Sequence, residues 1–308
     1  MRYGVMLSIA YVMLLASPVL ARPKTDFDAR YTELHDVEQI AMRLSGPRRD
    51  ALISEKYYEL FHDFMEPNAL RKIKTQDLQT LFKAASMTAF YIADRLYADD
   101  LSDVVSELER RNVATDTQRV KLFHVLVQLR DFTKARSLLG KHPDLEVEAL
   151  PAIPLDFNSV GKIAFDSSAE EGNYRLESVS FDIFSGSHLV IVAHPLCQFS
   201  RNAVDALEAD ASFASMFSSQ TIWLAPVDGR LHLKQIREWN VLHPQAHIIQ
   251  ARHESDWPMI TEWATPQFYA LRDGRVIGHV AGWPKEGSKQ ELLVLLEKLV
   301  QTKQDRGL

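Results

Sequence analysis

The chain has 308 residues, about twice the common single-domain length of roughly 150, so two folded units are expected. With 46% hydrophobic and 25% charged residues it has a globular composition, which excludes disorder, collagen-like repeats and a multi-span membrane protein. A formal net charge of −6 leaves no basic surplus for a nucleic-acid partner.

At the N-terminus Arg2 precedes an apolar run from Val5 to Ala16, and Ser17-Pro18-Val19-Leu20-Ala21 sets small residues at the spacing a signal peptidase requires. Residues 1–21 are therefore expected to be removed on export, leaving a periplasmic or secreted protein. The alternative, an uncleaved anchor helix, needs about 20 apolar residues, and Pro18 ends this run before that. No cysteine follows the run, so a lipoprotein anchor is not expected, nor is a stable membrane span after cleavage. Loss of Arg2 with the leader takes the formal charge to −7. An exported chain is free to use disulfides, yet Cys197 is its one cysteine, so any disulfide it forms is with another molecule.

Residues 26–146 contain only Gly46 and Gly140 and carry apolar residues at helical spacing, whereas residues 151–308 hold nine glycines and short β-branched runs. Pro151 and Pro154 interrupt both periods, which places a linker at Glu148–Asp156. The expected division is a signal peptide (1–21), a helical domain (22–150) and a second domain (151–308). Predicted helices cover Tyr31–Leu44, Arg48–Met65, Gln76–Tyr97, Ser102–Arg111, Asp116–Leu129 and Phe132–Leu139. Thr115 caps the fifth of these, Arg130-Asp131 turns the chain and Gly140 ends the sixth. The segment Leu129–Arg136 resembles the turn and second helix of a tetratricopeptide-type repeat. No period of about 34 residues extends it, so an irregular array of helical hairpins is expected, with a small bundle as the alternative. Tyr57, Tyr58, Phe61, Phe64, Phe90 and Tyr91 fall at helical spacing, which reads as core packing; the other reading is a protein partner bound on the helical domain.

In the second half Tyr174–Phe184 and His188–Ala193 read as strands around a turn at Ser185-Gly186-Ser187. The loop His194-Pro195-Leu196-Cys197 then leads into a helix over Phe199–Ala209. Strand Gln220–Pro226, helix Leu231–Val241 and strand His247–Ala251 repeat the βαβ order. Thr265-Pro266 opens a strand over Gln267–Arg272, Asp273-Gly274 turns it into Val276–Ala281, and a helix over Lys289–Val300 closes the chain.

Three pieces in this order carry a resemblance: Leu189-Val190-Ile191-Val192 running into Cys197-Gln198-Phe199-Ser200, Thr265-Pro266 before a strand, and the hairpin from Tyr269 to Val276 followed by Gly282. Together they resemble the thioredoxin superfamily, and within it the exported branch typified by cytochrome-maturation thioredoxins and peroxiredoxins. The expected fold is an α/β thioredoxin-like C-terminal domain preceded by an all-α helical-hairpin domain. The resemblance implies that Pro266 is cis and faces Cys197, and that Thr265 offers its backbone to a substrate strand. Apart from any resemblance, a thiol at a helix start lies beside unpaired N–H groups and the positive end of the dipole, which favour thiolate.

The chain also departs from the superfamily. Ser200 stands in place of the second cysteine of the C-x-x-C pair, so no internal thiol resolves a mixed disulfide at Cys197. The buried strand lacks the usual acidic residue, and Leu196 replaces the usual Trp before the cysteine. His194 is then the nearest residue to tune the thiol or carry its proton, a solvent-facing loop histidine being the alternative. Ser200 is expected to hydrogen-bond the thiolate, and Trp263 to border a substrate groove with Thr265 and Pro266. His243, His247 and His253 fit no ligand spacing, so neither a metal nor a cofactor is expected. The function these residues favour is monothiol thiol–disulfide exchange through Cys197 on a protein or small-molecule thiol or disulfide. A redox-inactive adaptor with a helical interaction domain is the alternative. A one-cysteine peroxidase ranks third, because that chemistry wants Thr or Ser where His194 stands.

Overall fold

The computed structural model describes residues 26–157, 159–170, 173–217 and 220–304; the expected leader, 1–21, lies outside them. Among the described residues no helix is long and apolar enough to cross a membrane.

The first half is all helix: α1 (Phe27–Ala41), α2 (Gly46–Phe61), a short α3 (Pro67–Leu70), α4 (Thr75–Tyr91), α5 (Arg95–Arg110), α6 (Asp116–Gln128) and α7 (Phe132–Lys141). Side chains that accept otherwise orphaned amide protons start several of these helices: Asp26 for α1, Asp94 for α5 and Asp131 for α7. Thr115 and Gln118 form a reciprocal capping box at the start of α6. Asp94 also explains where the sequence pattern misleads. The helix expected over Gln76–Tyr97 stops at Tyr91, and the next begins at Arg95 rather than Ser102, because the Asp94 carboxylate takes the Leu96 N–H at 2.8 Å and restarts the chain there. Leu34, Tyr57, Phe61, Leu81, Leu101 and Phe123 close the core of this half. Of the aromatic cluster, Tyr57 and Phe61 are buried, whereas Tyr58 and Phe90 are exposed.

The second half is built on a sheet of β1 (Ala164–Glu170), β2 (Asn173–Val179), β3 (Ser187–Val192), β4 (Thr221–Ala225), β5 (Ile248–Ala251), β6 (Gln267–Arg272) and β7 (Arg275–Ala281), in the order β2-β1-β5-β4-β3-β6-β7. Strands β3, β4 and β5 run parallel, joined through α8 (Gln198–Glu208) and α9 (Leu233–Leu242). The β6–β7 hairpin is antiparallel and pairs with β3 through β6, and α10 (Lys289–Gln304) follows it. This βαβ unit, antiparallel hairpin and closing helix, with β3 central, make a thioredoxin-like α/β arrangement, preceded by the all-α half. The β1–β2 hairpin is an addition at the β5 edge. Strand β1 has no counterpart in the sequence reading, since Ala-Phe-Asp-Ser-Ser-Ala-Glu carries no β-branched run.

Alternation along β3 divides the core. Leu189 and Ile191 face α8, α9 and α10 through Val204, Ile236 and Leu292. Val190 and Val192 face the opposite layer, where Ile183, Trp257 and Ile260 from connecting segments cover the sheet. The helical half packs against the added hairpin: Phe157, Phe165 and Leu176 belong to the same cluster as Phe123 and Phe132. Full burial of a side chain such as Phe165 contributes roughly 1.5–3 kcal/mol. The segment read as a linker is tied down, because Ala152 bridges to β2 by Ala152 N–H to Tyr174 O (2.8 Å) and Leu176 N–H to Ala152 O (2.9 Å). Within it the Glu148 carboxylate accepts the N–H groups of Leu231 (2.7 Å) and Leu233 (3.2 Å).

Candidate functional site

The parallel direction of β3 and β4 and the reversed direction of β6 gather three segments at one end of the sheet. These are the loop after β3 that carries Cys197, the loop after β4 that carries Asp228 and His232, and Thr265-Pro266 just before β6. Connections at the carboxyl ends of parallel strands are where such sheets place ligands and chemistry.

Cys197 is the N-cap residue of α8, with extended backbone (φ −78°, ψ 117°), and is partly exposed. Its N–H is held by the His194 carbonyl at 3.0 Å, and its own carbonyl accepts the Arg201 N–H at 3.1 Å, which fixes the sulfur at the first turn. The Thr265–Pro266 peptide bond is cis, and the Cys197 S–H donates to the Thr265 carbonyl at 3.3 Å. Ser200 is fully buried one turn into the helix, and its hydroxyl accepts the His194 N–H at 3.3 Å. Burial pushes the Cys197 thiol up. Hydrogen bonding from the Thr265 side chain, from the Ser200 amide and hydroxyl and from the Phe199 amide outweighs it, and the net is a thiol below its ordinary pKa. The S–H contact to the Thr265 carbonyl is made only by the protonated form, so ionisation exchanges it for the helix-start donors. Leu196 and Phe199 flank the sulfur as exposed apolar side chains.

Trp263 and Ala264, the residues leading into Thr265, line a cleft of about 680 Å³. Its opposite wall is Arg49, Asp50, Phe90 and Tyr91 of the helical half. Trp283, the other tryptophan near the hairpin ends, is buried against Phe268 instead.

His194 is held by neighbours other than the sulfur. Its Nδ1 accepts the Leu196 N–H at 3.2 Å, and its Nε2 faces the Asp228 carboxylate at 3.8 Å. The same carboxylate oxygen lies 3.5 Å from His232 Nε2, and the two imidazoles meet edge to face with centroids 4.9 Å apart. Burial lowers the His194 pKa, while the facing Asp228 carboxylate raises that of His232. Burial alone would push Asp228 up, but His232 and the Arg230 amide bring it below its ordinary value. Sequence reading passed over Asp228 and His232, which lie far from His194 along the chain and meet it only through the crossover into β4. The histidines it weighed go elsewhere: His243 pairs with Glu208 at 2.9 Å, His247 pairs with Asp166 at 2.7 Å, and His253 lines the Trp263 cleft.

No protein-family model matches the chain, and no curated protein matches it. Among solved structures it is similar to a thioredoxin-like protein from Bacteroides caccae ATCC 43185, at 11% sequence identity and a TM-score of 0.25, over 79% of this chain and 84% of that one.

Proposed function

We infer that this chain is an exported, periplasmic or secreted protein that performs monothiol thiol–disulfide exchange through Cys197, with 22–150 as a helical domain and 151–308 as the thioredoxin-like domain. The observation that carries this reading is the single sulfur seated at the start of α8 within 3.3 Å of the Thr265 carbonyl.

The Cys197 thiolate attacks one sulfur of a substrate disulfide, forms a mixed disulfide and releases the other sulfur as a thiolate. A second thiol, supplied by a separate protein or small molecule, then attacks the mixed disulfide and regenerates Cys197. Ser200 and the α8 amides stabilise the thiolate, and His194 positions the 194–197 turn through its backbone carbonyl and Nδ1. Thr265 and Pro266 present backbone to the substrate strand, and Trp263 borders its groove. The substrate is a protein or small-molecule disulfide.

One observation favours a second reading. With a single cysteine the chain has no internal resolving thiol, which also suits a redox-inactive adaptor that presents the same groove and binds a protein partner through its helical domain. Non-reducing gels of wild type and Cys197→Ser, after exposure to oxidised thiols and to extracts of the source compartment, separate the two. Cys197-dependent mixed disulfides support exchange, and their absence, with slow alkylation of the thiol, favours the adaptor.

A further inference from the structure

The geometry points to a binding site for a tetrahedral divalent metal ion of the zinc class, with His194 Nε2, Asp228 Oδ2 and His232 Nε2 as ligands. The inference does not depend on the redox reading, because the Cys197 sulfur is not one of the ligands.

Spacing is the first ground. Elsewhere in the molecule four histidines each close on one carboxylate in direct contact, His35–Glu38 at 2.7 Å, His142–Glu109 at 2.8 Å, His243–Glu208 at 2.9 Å and His247–Asp166 at 2.7 Å, and the one longer pair, His243–Asp205 at 3.9 Å, belongs to a histidine already in contact with Glu208. Here two imidazoles stand off the same oxygen at 3.8 and 3.5 Å, and the three ligand atoms lie within 4.8 Å of one another. A tetrahedral ion bonded at about 2.1 Å separates its ligand atoms by roughly 3.4 Å. The observed gaps are therefore long for hydrogen bonds and close to what one shared ion imposes.

Local structure holds each ligand in place. The Arg230 N–H occupies the other carboxylate oxygen of Asp228 at 2.5 Å, which leaves Oδ2 for the imidazoles. His232 adopts a left-handed backbone (φ 49°), a conformation histidine takes more readily than most side chains. The amides on either side of it, those of Leu231 and Leu233, are both bound by Glu148. Outer contacts of this sort orient metal ligands.

Chemistry selects the ion. Two imidazole nitrogens and one carboxylate suit zinc and its transition-metal neighbours and disfavour calcium and magnesium, which take oxygen ligands. Three protein ligands leave a fourth position open, as in sites where zinc binds solvent or substrate. Asp228 and His232 line a cleft of about 620 Å³ against the helical half, so an ion between them is within reach of solvent. Coordination through His194 Nε2 moves the ring proton to Nδ1, and the Leu196 N–H that now points there must turn to water. That contact is long, 3.2 Å, and exposed, so its loss is small beside a metal–ligand bond.

The test uses the untagged full chain, stripped with chelator and titrated with Co²⁺, which shows visible d–d bands when held tetrahedrally, and then with Zn²⁺ to displace it. One Co²⁺ per chain with tetrahedral bands is expected in wild type and in Cys197→Ser. His232→Ala and Asp228→Asn should bind at least about 10–100-fold more weakly, since even the loss of an outer-shell partner has that effect. Asn keeps the Arg230 contact, and unchanged circular dichroism shows that both variants are folded. Three results would overturn the proposal: no stoichiometric Co²⁺ uptake by wild type, uptake untouched by both variants, or uptake abolished by Cys197→Ser.

Discussion

Arg130, at the turn between α6 and α7, reaches across to the sheet, where its guanidinium donates to the carbonyl of Asp228 at 3.4 Å and to that of Ala251 at 3.3 Å. It is buried, lies over the Phe165 ring at 5.2 Å and has a left-handed backbone (φ 56°). Burial brings its pKa down to about 10, which leaves it a cation at neutral pH. One side chain of the helical half thus holds the ends of β4 and β5, and the residue it holds after β4 is Asp228, whose carboxylate faces His194. The turn that carries Cys197 is in this way referenced to the helical half.

Replacing Arg130 by Met keeps the methylene stem and removes the side-chain donors from the carbonyls of Asp228 and Ala251, while the Val127 carbonyl keeps the Arg130 backbone N–H at 2.9 Å. Each buried carbonyl left without a partner costs about 1–3 kcal/mol. A loss of roughly 2–4 kcal/mol is expected, allowing for partial relief from no longer burying a cation. Urea denaturation followed by fluorescence measures it, and a change below about 1 kcal/mol would mean that water already serves these carbonyls.

Glycine substitutions should separate the interface from the surface. A Cβ on Gly229 would meet the His124 Cβ at 2.9 Å and the His124 carbonyl oxygen at 3.0 Å, so Gly229→Ala must push the two halves apart. Overpacking of this kind costs about 1–3 kcal/mol. Gly140, inside α7, meets nothing within 4 Å. Gly140→Ala is therefore expected to raise stability by about 0.5–1 kcal/mol through helix propensity. Thermal melts of the two variants should move in opposite directions.

Glu107 gives the protein a defined acid sensitivity. Hydrogen bonds from Arg110 to both oxygens, with Arg111 sharing Oε1, hold its carboxyl down at about 2 against an ordinary value near 4.5. A depressed folded-state pKa contributes stability above the unfolded value and loses it as pH falls toward the folded one. Wild type should therefore be more stable than Glu107→Gln at pH 7, with the difference shrinking between about pH 4.5 and 2. Melting temperatures at pH 7, 4 and 2.5 trace that convergence, and a gap independent of pH would assign the effect to packing.

At Cys197 the alkylation rate should rise with pH along a single titration whose midpoint lies below that of a free thiol. Ser200→Ala removes one hydrogen bond to the sulfur and the acceptor of the His194 N–H. Its midpoint is expected to move upward and its rate at pH 7 to fall severalfold. Iodoacetamide kinetics across pH 5–10 give both quantities, and an unmoved midpoint would remove Ser200 from the thiolate's partners.

Local chemistry made much of the fold legible. Apolar residues at helical spacing, together with Thr115 and Asp131, mark α6 and α7, although α7 runs past Gly140 to Lys141, and β-branched runs mark β3 and β4. Strand β1 was not legible, because its residues have little strand preference and Phe165 becomes a core residue only against the helical half.

By itself the sequence determined the thioredoxin-like order of elements, the single thiol at a helix start and the absence of a second one. Those are properties of neighbouring residues: propensity, caps, and which side chain follows which. Only the tertiary structure decided what stands around that thiol. The Thr265 carbonyl arrives at the sulfur because β6 runs antiparallel to β3, Asp228 and His232 reach His194 because β4 runs parallel to it, and Arg130 ties Asp228 to the helices. Such contacts join residues distant along the chain, and no local preference encodes them.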